Sequence, residues 1–125
     1  MTEENKTTKA LTLLLEQTQE GVLKWQASTL AEDLLSQGTN TVAKVMYVAE
    51  KDRRLLRLYP YRVRSYTDED EWHWEDEVAL EVSDPQKLSW WQFPKHPVIW
   101  DLLEAVKFKT ADIDTFIDKL IAEKD

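Results

Sequence analysis

Two long strand-like segments separated by a short polar loop constrain this chain more than any other feature. Residues 55–66 (LLRLYPYRVRSY) and 71–82 (EWHWEDEVALEV) alternate β-branched, aromatic and aliphatic side chains with charged ones. A connection of four residues, 67–70, allows only an antiparallel pair, because parallel strands need a crossover of roughly a dozen residues or more. The chain must therefore contain a long β-hairpin, and with it an antiparallel sheet.

The short loop also predicts how the two strands pair. With residues 67–70 as the loop, Arg62 lies opposite Glu75 and Arg64 lies opposite His73. Charged side chains then share one face of the hairpin and apolar side chains mostly share the other, an arrangement that cross-strand pairing favours.

Charge is concentrated in these strands and can be interpreted in two ways. Residues 51–64 hold six basic side chains and one acid, whereas residues 68–77 hold seven acids. One interpretation makes the first segment a phosphate-binding strip and the second a cation site or a mimic of nucleic acid. The other pairs the two segments across the hairpin, with only ~0.2–1 kcal/mol from each exposed ion pair. We favour pairing, because it needs no partner molecule.

Pro60 interrupts the first of the two strands. Proline cannot donate a ladder hydrogen bond, so it indicates an edge position or a β-bulge. A bulge has separate support, because Leu56 and Leu58 occupy even positions whereas Tyr61 and Val63 occupy odd ones.

Helical periodicity flanks the strands on both sides. Residues 7–20, residues 97–107 and a last segment that begins at Thr110 or Asp112 repeat apolar side chains at helical spacings. Gly21 is placed to end the first helix in a left-handed conformation. The last segment is the most regular of the three, and its apolar residues are Ile113, Phe116, Ile117, Leu120 and Ile121.

Further elements are predicted between the first helix and the hairpin. Residues 22–27 and 41–49 have the composition of strands. Thr29 and Glu32 match a capping box, and the short helix that this box would begin ends near Gly38.

The order of these elements predicts the fold class. We expect a single α+β domain over residues 1–125, with an antiparallel β-meander of about four strands. An N-terminal helix and two C-terminal helices are expected to pack on one face of that sheet.

Composition excludes several functional classes. The chain has no cysteine, which removes disulfide scaffolds, thiolate zinc sites and thiol catalysis. A net charge of -8 argues against general binding to nucleic acid. The acidic start of the chain and a longest aliphatic run of only residues 13–15 predict a cytoplasmic protein without a membrane span.

No motif identifies an enzyme or a cofactor site. The nucleophile elbow, the zinc-protease helix motif and the glycine-rich phosphate loop are all missing from the sequence. His73 lies between Glu71 and Glu75 at alternate strand positions, but neighbouring side chains on one strand diverge too much to favour a metal. We therefore assign no catalytic, cofactor-binding or metal-binding residue, and enzymatic activity is unsupported.

The six tryptophans are the outlier in composition. Trp25, Trp72 and Trp74 lie among apolar strand residues, which predicts that they fill the core. Four aromatic residues further along the chain fit the core less well and form the candidate interaction patch: Trp90, Trp91, Phe93 and Trp100.

Two segments of the chain resemble segments of other proteins. Residues 14–25 (LLEQTQEGVLKW) and 97–121 (PVIWDLLEAVKFKTADIDTFIDKLI) are similar to the opening and closing helices of small uncharacterised bacterial proteins. The resemblance implies a helix–β-meander–helix architecture and carries no functional residue.

These observations leave two main hypotheses for the function. The favoured one is a small cytoplasmic interaction or regulatory module that binds another protein, and neither nucleic acid nor a membrane, through the aromatic patch. The alternative is a small-molecule-binding or catalytic domain with an aromatic pocket between the sheet and the C-terminal helices. The oligomeric state is open at this stage.

Overall fold

The computed structural model describes residues 3–28, 41–43 and 45–124. The helix predicted to follow the capping box at Thr29 lies outside these residues. Within them the chain forms three helices and six strands, in the order α1 (Glu3–Gln19), β1 (Trp25–Ser28), β2 (Thr41–Ala43), β3 (Met46–Lys51), β4 (Arg54–Tyr66), β5 (Trp72–Ser83), β6 (Trp90–Gln92), α2 (Pro97–Thr110) and α3 (Ile113–Lys124).

All six strands belong to one antiparallel sheet. Five of them follow one another in the order β1-β3-β4-β5-β6, and the short β2 pairs with β4 on the same side as β3. The predicted α+β class is confirmed, with five strands in the continuous order instead of about four. The additional strand is β6, whose three residues are too few to show a period in the sequence.

The register of the β4–β5 hairpin differs from the predicted one by a single residue. Tyr66 lies opposite Trp72, and Arg62 lies opposite Asp76 instead of Glu75. The cause is a five-residue loop, closed by a hydrogen bond of 3.0 Å from the Thr67 amide to the Glu71 carbonyl. A slip of one residue exchanges faces, so Arg62 and Arg64 share a face with Trp72 and Trp74 and not with His73.

Pro60 lies where the neighbouring strand changes. β4 runs without interruption along β5, with Pro60 opposite Val78. On its other side, pairing with β3 ends at Leu58 and pairing with β2 begins at Tyr61. The two pairings are out of register by one residue, so Pro60 lies opposite a break in the ladder, where its missing N–H is tolerated.

The core lies between the sheet and the pair formed by α1 and α2. Both helices contribute fully buried side chains, among them Leu11 of α1 and Leu102 of α2, to one cluster with Leu58 and Leu80. Trp25 belongs to this cluster, as predicted, and its indole N–H donates a 3.0 Å hydrogen bond to the buried Thr18 hydroxyl. Because the Thr18 hydroxyl in turn donates to the Leu14 carbonyl, at 2.8 Å, no polar atom of this contact is left unpaired.

Trp72 and Trp74 are not in the core, so the sequence-based assignment of both is wrong. They remain 43% and 37% exposed, because the outer half of the hairpin extends beyond the layer of helices. Arg64, on the neighbouring strand β4, covers both rings in part. Its guanidinium lies 4.5 Å from the Trp72 ring centroid and 5.4 Å from that of Trp74.

The ends of the helices follow local sequence rules. Gly21 adopts a φ of +78°, as predicted for the residue that ends α1. His96 caps α2 by accepting a 3.1 Å hydrogen bond at Nδ1 from the Val98 amide, with Pro97 in the first helical turn.

The last helix differs from expectation in its packing. α2 covers the sheet, but α3 follows α2 without contributing a buried residue to the core. Its predicted apolar face is present and faces away from the core. None of the helices in the described part of the chain is both long and apolar enough to cross a membrane.

Candidate interaction surface

Several of the exposed large apolar side chains of the described chain lie together on α3. We define the α3 stripe as Ile113, Phe116, Ile117, Leu120 and Ile121, of which Phe116, Leu120 and Ile121 are 61%, 55% and 60% exposed. Ile117 is also exposed, and only Ile113, at the start of the helix, is half-buried. A surface helix normally turns such a stripe toward the core, so an outward stripe marks a surface that other molecules can cover.

The link between α2 and α3 sets the direction of the last helix. Asp112 adopts a φ of +51°, which turns the chain sharply after Ala111. Its carboxylate accepts a 2.8 Å hydrogen bond from the Thr115 hydroxyl, and its carbonyl accepts from the Phe116 amide at 3.3 Å. These bonds hold the first turn of α3 to the link while the rest of the helix leads away from the core.

A groove of about 690 Å³ lies at the base of α3, between α2 and the sheet. We call it the α2 groove. Its charged groups, Glu104 and Lys107, pair with each other at 3.7 Å. The remaining lining is largely apolar or aromatic: Ala27, Tyr47, Phe108, Thr110, Ala111 and Ile113.

A second groove, of about 650 Å³, lies between α2 and the β4–β5 hairpin. We call it the aromatic groove, since four rings line it: Tyr47, Tyr61, Trp74 and Trp100. Of the two C-terminal helices only α2 lines it, and α3 contributes no residue to its walls. The aromatic groove shares Tyr47, Glu104 and Lys107 with the α2 groove, so the two form one continuous surface.

The charges of the aromatic groove are paired within the protein. Arg62 Nε donates to Asp76 Oδ1 at 2.8 Å. Lys95 Nζ lies 3.2 Å from Glu77 Oε1, and this carboxylate raises the pKa of Lys95 through a hydrogen bond and its charge. The walls therefore present aromatic rings and ion-paired charges.

The candidate patch predicted from the sequence is divided in the structure. Trp91 and Phe93 contact each other edge to face, with centroids 4.9 Å apart. Trp90 points to the opposite face of the sheet, because successive side chains of a strand alternate. Trp100 lines the aromatic groove beside Glu104, and no ring contact among the described residues joins it to the other three.

Trp90 has a structural role on its face of the sheet. The Arg57 guanidinium lies 3.8 Å from the Trp90 ring centroid and forms an ion pair with Glu81. Tyr59 lies on the same face, where burial first and the Glu81 charge second raise its pKa to about 12. These contacts account for Trp90 without a partner molecule.

Each of the two histidines has a hydrogen-bond partner within the protein. His73 Nε2 lies 3.2 Å from Glu75 Oε1 on the same strand, and His96 caps α2. Within the described ranges no group of three or more His, Cys, Asp or Glu side chains comes together to hold an ion.

Sequence reasoning found the apolar period of α3 but not its exposure. The spacing of Ile113, Phe116 and Leu120 predicts which residues share a face, and it does so correctly. Whether that face is covered depends on how much of the sheet α1 and α2 already occupy. No local pattern in α3 carries that information.

Comparison with known proteins adds no family to these observations. No protein-family model, no curated protein and no solved structure matches the chain.

Proposed function

We propose that this protein is an interaction module that binds another protein chain through the α3 stripe. One observation carries the proposal: a regular helix of 12 residues exposes four of the five members of its apolar stripe, and none of the five belongs to the core cluster. Amphipathic helices that dock into partner grooves have such faces, with anchors three and four residues apart.

The stripe has enough apolar surface to matter for binding. Burying a side chain such as Leu, Ile or Phe contributes roughly 1.5–3 kcal/mol, and four members of the stripe are exposed. Association costs at least ~4 kcal/mol in lost translational and rotational freedom. The stripe therefore supports binding when a partner covers most of it.

The test compares three forms of the tagged protein in affinity purification from the source cell. The double variant Phe116→Glu/Leu120→Glu places two charges in the stripe. Leu88→Glu is the matched control, since Leu88 is also exposed but lies in the β5–β6 loop. We expect the wild type and the control to retain the same stoichiometric partner, and the double variant to lose it.

The dissociation constant is then measured with the purified protein and its purified partner. The Kd for the retained partner should rise at least tenfold in the double variant, and its free energy of unfolding should stay within about 0.5 kcal/mol of wild type. Equal binding by all three forms, or no stoichiometric association of any kind, would overturn the proposal.

A second candidate function is supported by the aromatic groove. Its volume of about 650 Å³ lies in the range of small-molecule sites, and exposed Trp74 and Trp100 stand on its walls. A ligand there should quench tryptophan fluorescence and raise Tm, and Trp100→Ala should remove both effects. If no metabolite of a panel changes the fluorescence or the Tm of the wild type, that result would count against this function.

The cytoplasmic location belongs to the same proposal. It is supported by the charge pattern of the sequence and is tested by fractionating the source cell and following the protein with an antibody.

A further inference from the structure

We infer that the partner of the α3 stripe is a second copy of this chain, with α3 of each copy lying in the α2 groove of the other. The inference rests on the proposed function, since it names the occupant of the same surface. It also assigns a role to the α2 groove, which the proposed function leaves without one.

The molecule presents two apolar surfaces of opposite shape. The α3 stripe is convex, and the adjoining α2 groove is concave, with exposed Phe108 on its wall and half-buried Ile113 at its end. No described residue fills the groove. A twofold axis that places one copy's stripe in the other copy's groove satisfies both surfaces twice.

The dimensions of the two surfaces agree. At 1.5 Å per residue, the 12 residues of α3 span roughly 18 Å and the 14 residues of α2 span roughly 21 Å. The residues of α2 and its C-cap that line the α2 groove and the adjoining aromatic groove run from Trp100 to Ala111, also 12 residues, so the two grooves together match the length of α3.

Area selects this exchange over simple contact between two α3 helices. Contact between the two stripes alone would bury five side chains from each copy and leave both α2 grooves open, whereas a stable interface covers roughly 800 Å² per partner. In the exchange each copy contributes a helix and a groove, so both surfaces of both copies are covered.

The charges on the groove permit this burial. Glu104 and Lys107 pair with each other at 3.7 Å, so an apolar helix placed beside them leaves no charge without a partner. On α3, Asp118 lies away from the stripe in the helical period and stays in solvent, whereas Asp114 and Glu123 lie at the edges of the stripe.

The first experiment measures mass in solution. Light scattering after gel filtration should give the wild type twice the chain mass of 14.7 kDa. Phe116→Glu/Leu120→Glu should halve that value and give a Tm that no longer depends on protein concentration, whereas Leu88→Glu should remain a dimer. Phe108→Glu, which alters only the groove, should also give monomers.

The second experiment identifies what the helix contacts, and it uses the absence of native cysteine. Leu120→Cys and Phe108→Cys are purified separately, mixed under reducing conditions and then oxidised. The exchange predicts a disulfide between the two different variants. Leu88→Cys mixed with Phe108→Cys serves as the control and should give none.

Two results would overturn the inference. A wild type that is monomeric up to about millimolar concentration excludes the second copy, and disulfides formed only between two Leu120→Cys chains exclude the groove. In the first case the proposed function survives if another protein binds in a stripe-dependent manner. The proposed function fails as well only if the double variant and the wild type bind every protein equally.

Discussion

Asp84 shows how a single side chain can shape a loop in this protein. Its carboxylate accepts hydrogen bonds from the Leu88 amide at 2.7 Å and the Ser89 amide at 3.2 Å, which fold the connection between β5 and β6. These bonds favour the ionised form and lower the pKa of Asp84 below its ordinary value of 3.8.

This lowered pKa predicts a defined pH dependence. The ionised carboxylate stabilises the folded state above pH 3.8, and the contribution is lost as the pH falls through the lower folded pKa. Asp84→Asn can still accept a hydrogen bond but does not titrate. The difference in free energy of unfolding between the two proteins should be constant above about pH 5 and change below 3.8. Denaturant titrations at a series of pH values measure it, and a difference that stays constant to about pH 2 would contradict the assignment.

Ser83 illustrates a residue whose role was invisible in the sequence. It is fully buried at the end of β5, where its hydroxyl accepts a 2.9 Å hydrogen bond from the Leu55 amide and donates one to the Asp84 carbonyl. In the sequence, a serine at the end of a strand indicates only an ordinary turn residue. Its structural role could not be predicted because its partner lies on another strand, 28 residues away.

At the scale of elements, the β4–β5 hairpin gives the clearest test of register. Arg62 and Asp76 face each other as an exposed ion pair, so their coupling should be ~0.2–1 kcal/mol. Arg62→Asp alone should destabilise the hairpin, and the exchange Arg62→Asp/Asp76→Arg should recover most of the loss. A double-mutant cycle in thermal or chemical denaturation measures the coupling.

The control for this cycle is the pair that a four-residue loop would have brought together. Arg62→Glu/Glu75→Arg should show weaker coupling than the Asp76 exchange, because Glu75 faces Val63 across the ladder. Stronger coupling to Glu75 than to Asp76 would show that the register is wrong.

The hairpin also shows which kind of information the sequence contains. Alternation located β4 and β5 to within a residue at each end. It could not locate the pairing, because a loop of four or five residues fits the same polar segment and shifts every partner. The exposure of Trp72 and Trp74 could not be predicted either, since it depends on where the helices stop covering the sheet.

At the scale of the whole molecule, the fold class was predictable because each element has its own period. The order of helix, strands and two helices leaves an antiparallel sheet with helices on one face as the simplest packing. The candidate site was not predictable to the same degree. The aromatic groove and the α3 stripe arise from the relative positions of α2, α3 and the hairpin, which involve contacts distant in sequence.

The position of α3 has a consequence for its motion. A helix of 12 residues without core contacts is near the lower limit for stability in water, so it should open locally far more often than α2. In dilute protein, we expect the amides of residues 117–124 to exchange with deuterium rapidly, while buried Leu102 and Leu103 in α2 stay protected. Docking would couple helix formation to binding and slow exchange in α3, so amide exchange against protein concentration would follow the docked population residue by residue.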